Sequence, residues 1–109
     1  MDNKPVEKHL EDFLDYSEIE KGLSSKTQEN YKRFLQKFFR WLEANNLGSL
    51  SPAELTADHV WKYRVFLSRH IDLHKKVGLK KSTQNYYLIA LRSLLEFFVE
   101  KNTPYRKSR

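Results

Sequence analysis

Lys26, Arg33, Lys37 and Arg40 lie opposite the apolar stripe of one predicted helix, diluted by Glu29 and Gln36. A helix of about 20 residues is roughly 30 Å long. A cationic ridge of that length can follow several phosphates and displace the counterions they hold. A second set opens another predicted helix: Lys80 and Lys81, with Lys76 just upstream. Helix N-termini carry partial positive charge and prefer acids, so each lysine there is unfavourable by about a few tenths of a kcal/mol. Cations gathered around free backbone N–H groups make an anion site, and phosphate is its natural occupant. Along that helix Ser82, Asn85, Arg92 and Ser93 are available outside, and Gln84, Asn85 and Arg92 can hydrogen-bond base edges. An ordinary solvated face and a loop lysine pair account for the same residues. The chemistry on offer is nucleic-acid binding.

Other constellations do not assemble. His70 and His74 are spaced i, i+4 around Asp72, a spacing that can hold a metal on a helix. His74 falls near a helix end and no His-Glu-x-x-His pattern accompanies it, so the pair reads as surface or partly buried histidines. No glycine-rich phosphate loop, GxSxG or catalytic cysteine is present. No catalytic residue, metal or cofactor is expected.

The elements that must carry the cations are helical, because the apolar residues recur with helical rather than strand period. Val6, Leu10, Phe13 and Leu14 mark a first segment, ended near Gly22. In the second, Tyr31, Phe34, Leu35, Phe38, Phe39 and Leu42 follow i, i+3, i+4, i+7, i+8, i+11 without a miss, up to the turn cluster NNLGSLSP. Trp41 joins these aromatics as core. Thr56 can cap a third helix with Val60, Tyr63, Leu67 and Ile71 inward. DLHKKVG reads as a loop. The fourth segment sets Tyr87, Ala90, Leu91, Leu94, Leu95 and Phe98 inward. Leu88, Ile89, Phe97 and Val99 make it apolar around more of its girth, which predicts the most buried helix.

The second and fourth helices open alike. LSSKTQENY from Leu23 and LKKSTQNYY from Leu79 share Leu, Thr, Gln and Tyr at an offset of 56, and Leu35 aligns with Leu91. Ser25-Lys26-Thr27-Gln28 fits a capping box. The repeated Thr and Tyr read as capping and packing groups rather than base contacts. The repeat suggests two helical hairpins of similar design in an all-α chain.

Composition narrows the class. The chain of 109 residues suits one domain, and with no cysteine it has neither a disulfide framework nor a thiolate metal site. Residues 1–22 hold three lysines against seven acids, net −4, and residues 23–109 hold 17 Lys/Arg against seven acids, net +10. A basic body favours a polyanionic partner, nucleic acid before anionic membrane. With no signal-like or membrane-spanning stretch, a soluble cytoplasmic protein associated with the nucleoid is expected.

The order FLDYSEIEKGLSSKTQENYKRFLQKFFRWL, LTADHVWKYRVFLSRH, GLKKSTQNYYLIALRSLLEFFVEKN resembles the N-terminal core-binding domain of tyrosine recombinases, or phage integrases. The LSxxTxxxY start, the L-T-x-D-x-V entry and ST…ALRSLLEFF carry the likeness, over about residues 8–102. It implies a SAM-like orthogonal bundle of four helices, two hairpins crossing steeply, that clamps a recombination half-site of duplex DNA with a catalytic domain. In that family the second and fourth helices face DNA. The resemblance therefore carries DNA contact onto Lys26, Asn30 and Arg33, and onto Lys80, Lys81, Ser82, Gln84, Asn85 and Arg92, beside the Lys37 of the cationic ridge.

The family's tyrosine nucleophile and its Arg, Lys and His partners belong to a separate domain. Residues 1–102 are thus expected to be the DNA-binding domain and 103–109 a basic tail beginning the linker to an absent catalytic domain. The expected partners are duplex DNA, that catalytic domain and other protomers on DNA, and no membrane. This chain is expected to bind and not to cleave. A basic helical module for an acidic protein partner is the alternative.

Overall fold

The unbroken stripe from Tyr31 to Leu42 forms the longest part of α2 (Ser25–Ala44) in the computed structural model, which describes residues 3–69, 71–72 and 77–102. A 3-10 turn at Val6–His9 leads into α1 (Leu10–Lys21), and α3 (Ala57–Arg69) and α4 (Lys81–Asn102) follow. The chain is an all-α bundle. α1 packs on α2 and α3 on α4, the two hairpins the repeat suggests, and the broad contact of α2 with α4 joins them. Phe13, Leu35, Phe38, Tyr63, Leu67, Leu91, Leu94 and Phe97 are all but fully excluded from solvent and come from all four helices. His9 joins them, edge-on to Phe98 at 5.4 Å, with Nε2 3.3 Å from the Lys4 carbonyl. The Tyr63 hydroxyl is buried without a hydrogen-bond partner, and burial followed by the nearby Tyr87 pushes its pKa far up.

Helix ends follow local chemistry. Gly22 takes φ 66° after α1, where the Leu23 N–H reaches back to the Ser17 carbonyl at 3.2 Å. Asn46, φ 61°, does the same after α2, the left-handed position that Gly and Asn tolerate. Thr56 does cap α3: its hydroxyl accepts from the His59 N–H at 3.2 Å, and the Thr56 N–H donates to His59 Nδ1 at 3.0 Å. His59 thus stands where a capping box usually has Glu or Gln.

Three expectations change. α3 ends at Arg69, so Ile71 is not on its inner face; it lies in a two-residue strand, β1 (Ile71–Asp72), antiparallel to β2 (Val77–Gly78). The connection read as a loop therefore contains a minimal ladder, too short for periodicity to betray. Ile89 and Val99 are 43% and 50% exposed, because α4 is covered by α2 and α3 but not outside. His70 and His74 lie outside the described residues, among which no group of three metal-ligating side chains gathers. No described helix is long and apolar enough to cross a membrane.

The third change explains the repeat. Ser24, not Ser25, is the N-cap of α2, accepting from the Thr27 N–H at 3.2 Å. Gln28 does not return to a free N–H; its amide nitrogen donates to the Leu23 carbonyl at 3.1 Å. Gln84 does the same to Leu79 at 3.0 Å. Each glutamine clasps the residue that precedes its helix and fixes the entry angle of the chain. The repeated tyrosines pack, Tyr31 stacked on Phe13 at 6.4 Å and Tyr87 edge-on to Phe34 at 4.9 Å. Gln28→Ala and Gln84→Ala should each lower unfolding free energy by about 1 kcal/mol, the net worth of one hydrogen bond. Urea melts check this, and a loss under about 0.3 kcal/mol for both would remove the clasp from the account.

Candidate nucleic-acid interface

Lys26, Asn30, Arg33, Lys37 and Arg40 recur at i, i+4, i+7, i+11 and i+14, so α2 presents them as one line. The line does not run opposite the core. It borders the Phe34 and Trp41 stripe, beside α4 and α3, because the aromatic face of α2 is wide and its edge turns inward. Lys37 shows this best: Nζ sits 5.6 Å from the Phe66 ring centre and 5.8 Å from Tyr87. Burial, then repulsion from Arg40, lowers its pKa from the ordinary lysine value. An anion between these cations would oppose both effects by favouring the charged ammonium.

Arg33 and Asn30 form a prepared pair. The Arg33 guanidinium donates to Asn30 Oδ1 at 3.1 Å and lies over Phe34 at 4.9 Å. The ring beneath limits its freedom while leaving it exposed. Lys26 is exposed, and its contact with Glu29 at 3.9 Å is a loose surface pair of little energetic weight.

Phe34 stacks at 6.3 Å on Tyr86 of α4, which is 55% exposed, and so bridges the α2 line to α4. On α4, Lys80, Lys81, Ser82, Asn85 and Arg92 are exposed. Gln84 is half-buried with its amide nitrogen committed to Leu79, leaving its carbonyl oxygen as the group able to reach outward. The N-terminus of α4 differs from that of α2 at one decisive place. The Gln84 N–H bonds the Lys80 carbonyl at 3.0 Å just as the Gln28 N–H bonds that of Ser24. Lys80 thus holds the capping position, where its ammonium cannot accept a hydrogen bond. The first turn of α4 contains no acid. Cations thus coincide there with the first N–H groups of a helix, which have no partner within it.

Asn85 and Arg92 turn toward α3. With Arg64, Val60 and Leu88 they line an α3–α4 groove of about 470 Å³, which continues past Trp61, Ser68 and Lys81. Sequence reasoning passed over Arg64, whose guanidinium lies 5.6 Å from the Trp61 ring centre, and Trp61, 57% exposed. The signal was available: once Val60, Tyr63 and Leu67 face inward, Trp61, Arg64 and Ser68 share the outer side at i, i+3, i+7. The site residues so fall into two adjoining groups, the α2 line and the outer side of α4, with Tyr86 between them.

Residues 10–102 match the model of the phage integrase N-terminal SAM-like domain. The chain is 34% identical over 85 residues to a protein named tyrosine recombinase XerD from Corynebacterium glutamicum, across 78% of this chain and 27% of that protein. No solved structure matches. The paired hairpins, the repeated helix starts and these likenesses agree: the chain belongs to the family of N-terminal SAM-like domains of phage integrases, the tyrosine recombinases.

Proposed function

We propose that this chain binds duplex DNA through α2 and the outer side of α4, as the core-binding half of a clamp around a recombination half-site. The observation that carries this reading is the α4 start, where Lys80, a side chain that cannot accept a hydrogen bond, holds the position that the capping serine has at α2, with Lys81 beside it. The α2 line Lys26, Asn30, Arg33 and Lys37 supplies phosphate contacts, and Arg33 is held ready by Asn30 and Phe34. Ser82, Gln84, Asn85 and Arg92 follow Lys80 and Lys81 along α4 toward the base edges. The relative spans a sequence nearly four times the matched segment, and a catalytic domain and further protomers complete the clamp in this reading. A protein so engaged works at the nucleoid in the cytoplasm.

Titrating duplex DNA at several salt concentrations tests it. Neutralising about four to six phosphates gives a slope of log K against log salt near −4 to −5. Binding by residues 1–109 should be weak and largely indifferent to sequence, since the segment matched to the family corresponds to one half of the clamp. A salt-insensitive complex, or none at low salt, would return the basic face to the alternative of an acidic protein partner. On nicked duplex the same chain should leave no covalent adduct.

A further inference from the structure

We propose that Tyr86 is a stacking platform for an unpaired base, so that this chain prefers DNA with one base out of the double helix over fully paired duplex. Tyr86 stands between the α2 line and the outer side of α4, and it is 55% exposed. Its ring is already held in place. It lies parallel to Phe34, with 10° between the planes and 6.3 Å between the centres, and the Arg33 guanidinium lies over Phe34 at 4.9 Å. A ring so held loses little freedom when a base is laid on it. Ile89, one turn further along α4 and 43% exposed, extends the bare apolar surface. Cations flank this surface. Arg33 and Lys37 contact Phe34 and Tyr87, Arg92 lies one turn beyond Ile89, and Lys81 precedes Tyr86 by little more than a turn.

The design of the bundle does not call for an aromatic here. At the offset of 56 that relates the two helix starts, the counterpart of Tyr86 is Asn30, a polar residue. The repeated tyrosines, which do pack, are Tyr31 and Tyr87. A paired duplex presents phosphates, sugars and base edges to a protein, and keeps the flat faces of its bases stacked inside. A base presents its face only when it has left the stack. An aromatic ring surrounded by cations suits that state, with the cations on the phosphates and the ring on the base. This inference rests on the DNA reading above and narrows it from duplex in general to duplex with a displaced base.

Fluorescence anisotropy of the full chain at low salt tests it on labelled duplexes of one sequence: fully paired, with a bulged adenine, and with an abasic residue at the same bulge. The bulged adenine should raise affinity about ten-fold over the paired duplex, the order of one base–aromatic contact. The abasic bulge keeps the added flexibility and has no base to stack, so it should bind within about two-fold of the paired duplex. Both comparisons use the unaltered chain and do not depend on how a variant folds. Tyr86→Ala should bring the ratio of bulged to paired affinity to about one, and Tyr86→Trp, with a larger stacking face, should keep it. Bulged and paired duplex bound alike would overturn the proposal and leave the duplex reading standing. The same holds for a preference shared by the abasic bulge, which would be one for flexible DNA, and for a preference that survives Tyr86→Ala. No binding to any of these duplexes overturns both.

Discussion

Replacing Leu91 by alanine should lower the free energy of unfolding by about 2–5 kcal/mol, the cost of a cavity left where a leucine is fully enclosed. Leu91 is 1% exposed and stands at the repeat-equivalent of Leu35, itself 0% exposed, where α4 meets the other helices. A chain of this size has about 5–15 kcal/mol in total, so the loss is a large fraction of its stability. At about 4–8 °C per kcal/mol, the thermal midpoint should fall by tens of degrees at the upper end. Ile89, two residues earlier and 43% exposed, is the control. Ile89→Ala should cost under about 1 kcal/mol, as surface substitutions usually do. Denaturant melts followed by helical circular dichroism measure both. Equal losses for the two would mean that α4 is not seated on α2 as described.

Changing Lys80 and Lys81 together to serine should move affinity and stability in opposite directions. Removing two phosphate-neutralising cations should weaken duplex binding and make the salt slope shallower by up to about two units. The same change should stabilise the fold. A serine at position 80 reproduces the arrangement at Ser24, whose hydroxyl accepts from the Thr27 N–H at 3.2 Å, and such a cap contributes about 0.5–2 kcal/mol. It also takes cations from the positive end of the helix. Arg69, exposed at the end of α3, is the control, and its loss should affect binding less than that of either lysine. Lysines that only decorate a surface would leave DNA binding untouched when removed. In that outcome the α2 line carries the contact alone.

The helices and their inward stripes were legible in the residues, because each depends on periodicity within one segment, and the family was legible as a resemblance carried by three motifs in order. Tyr31 to Leu42 follow the 3.6-residue repeat so closely that Leu35, Phe38, Phe39 and Leu42 could only share a buried side. The lysines at the second helix start were visible as a broken rule of capping, a matter of neighbours in sequence. What local spacing does not contain is which side of a helix another helix will cover. Lys37 looked outward on α2 alone, and became half-buried only when Phe66 of α3 and Tyr87 of α4 closed on it. Ile89 and Val99 made α4 apolar around more of its girth, which predicted deep burial, and they stay exposed because among the described residues no helix packs on that side of α4. The same packing made the groove that holds Arg64 beside Asn85 and Arg92. The helical repeat sets which residues share a side. The docking of helices far apart in the chain, driven by the apolar area they jointly remove from water, decides which sides remain to bind anything.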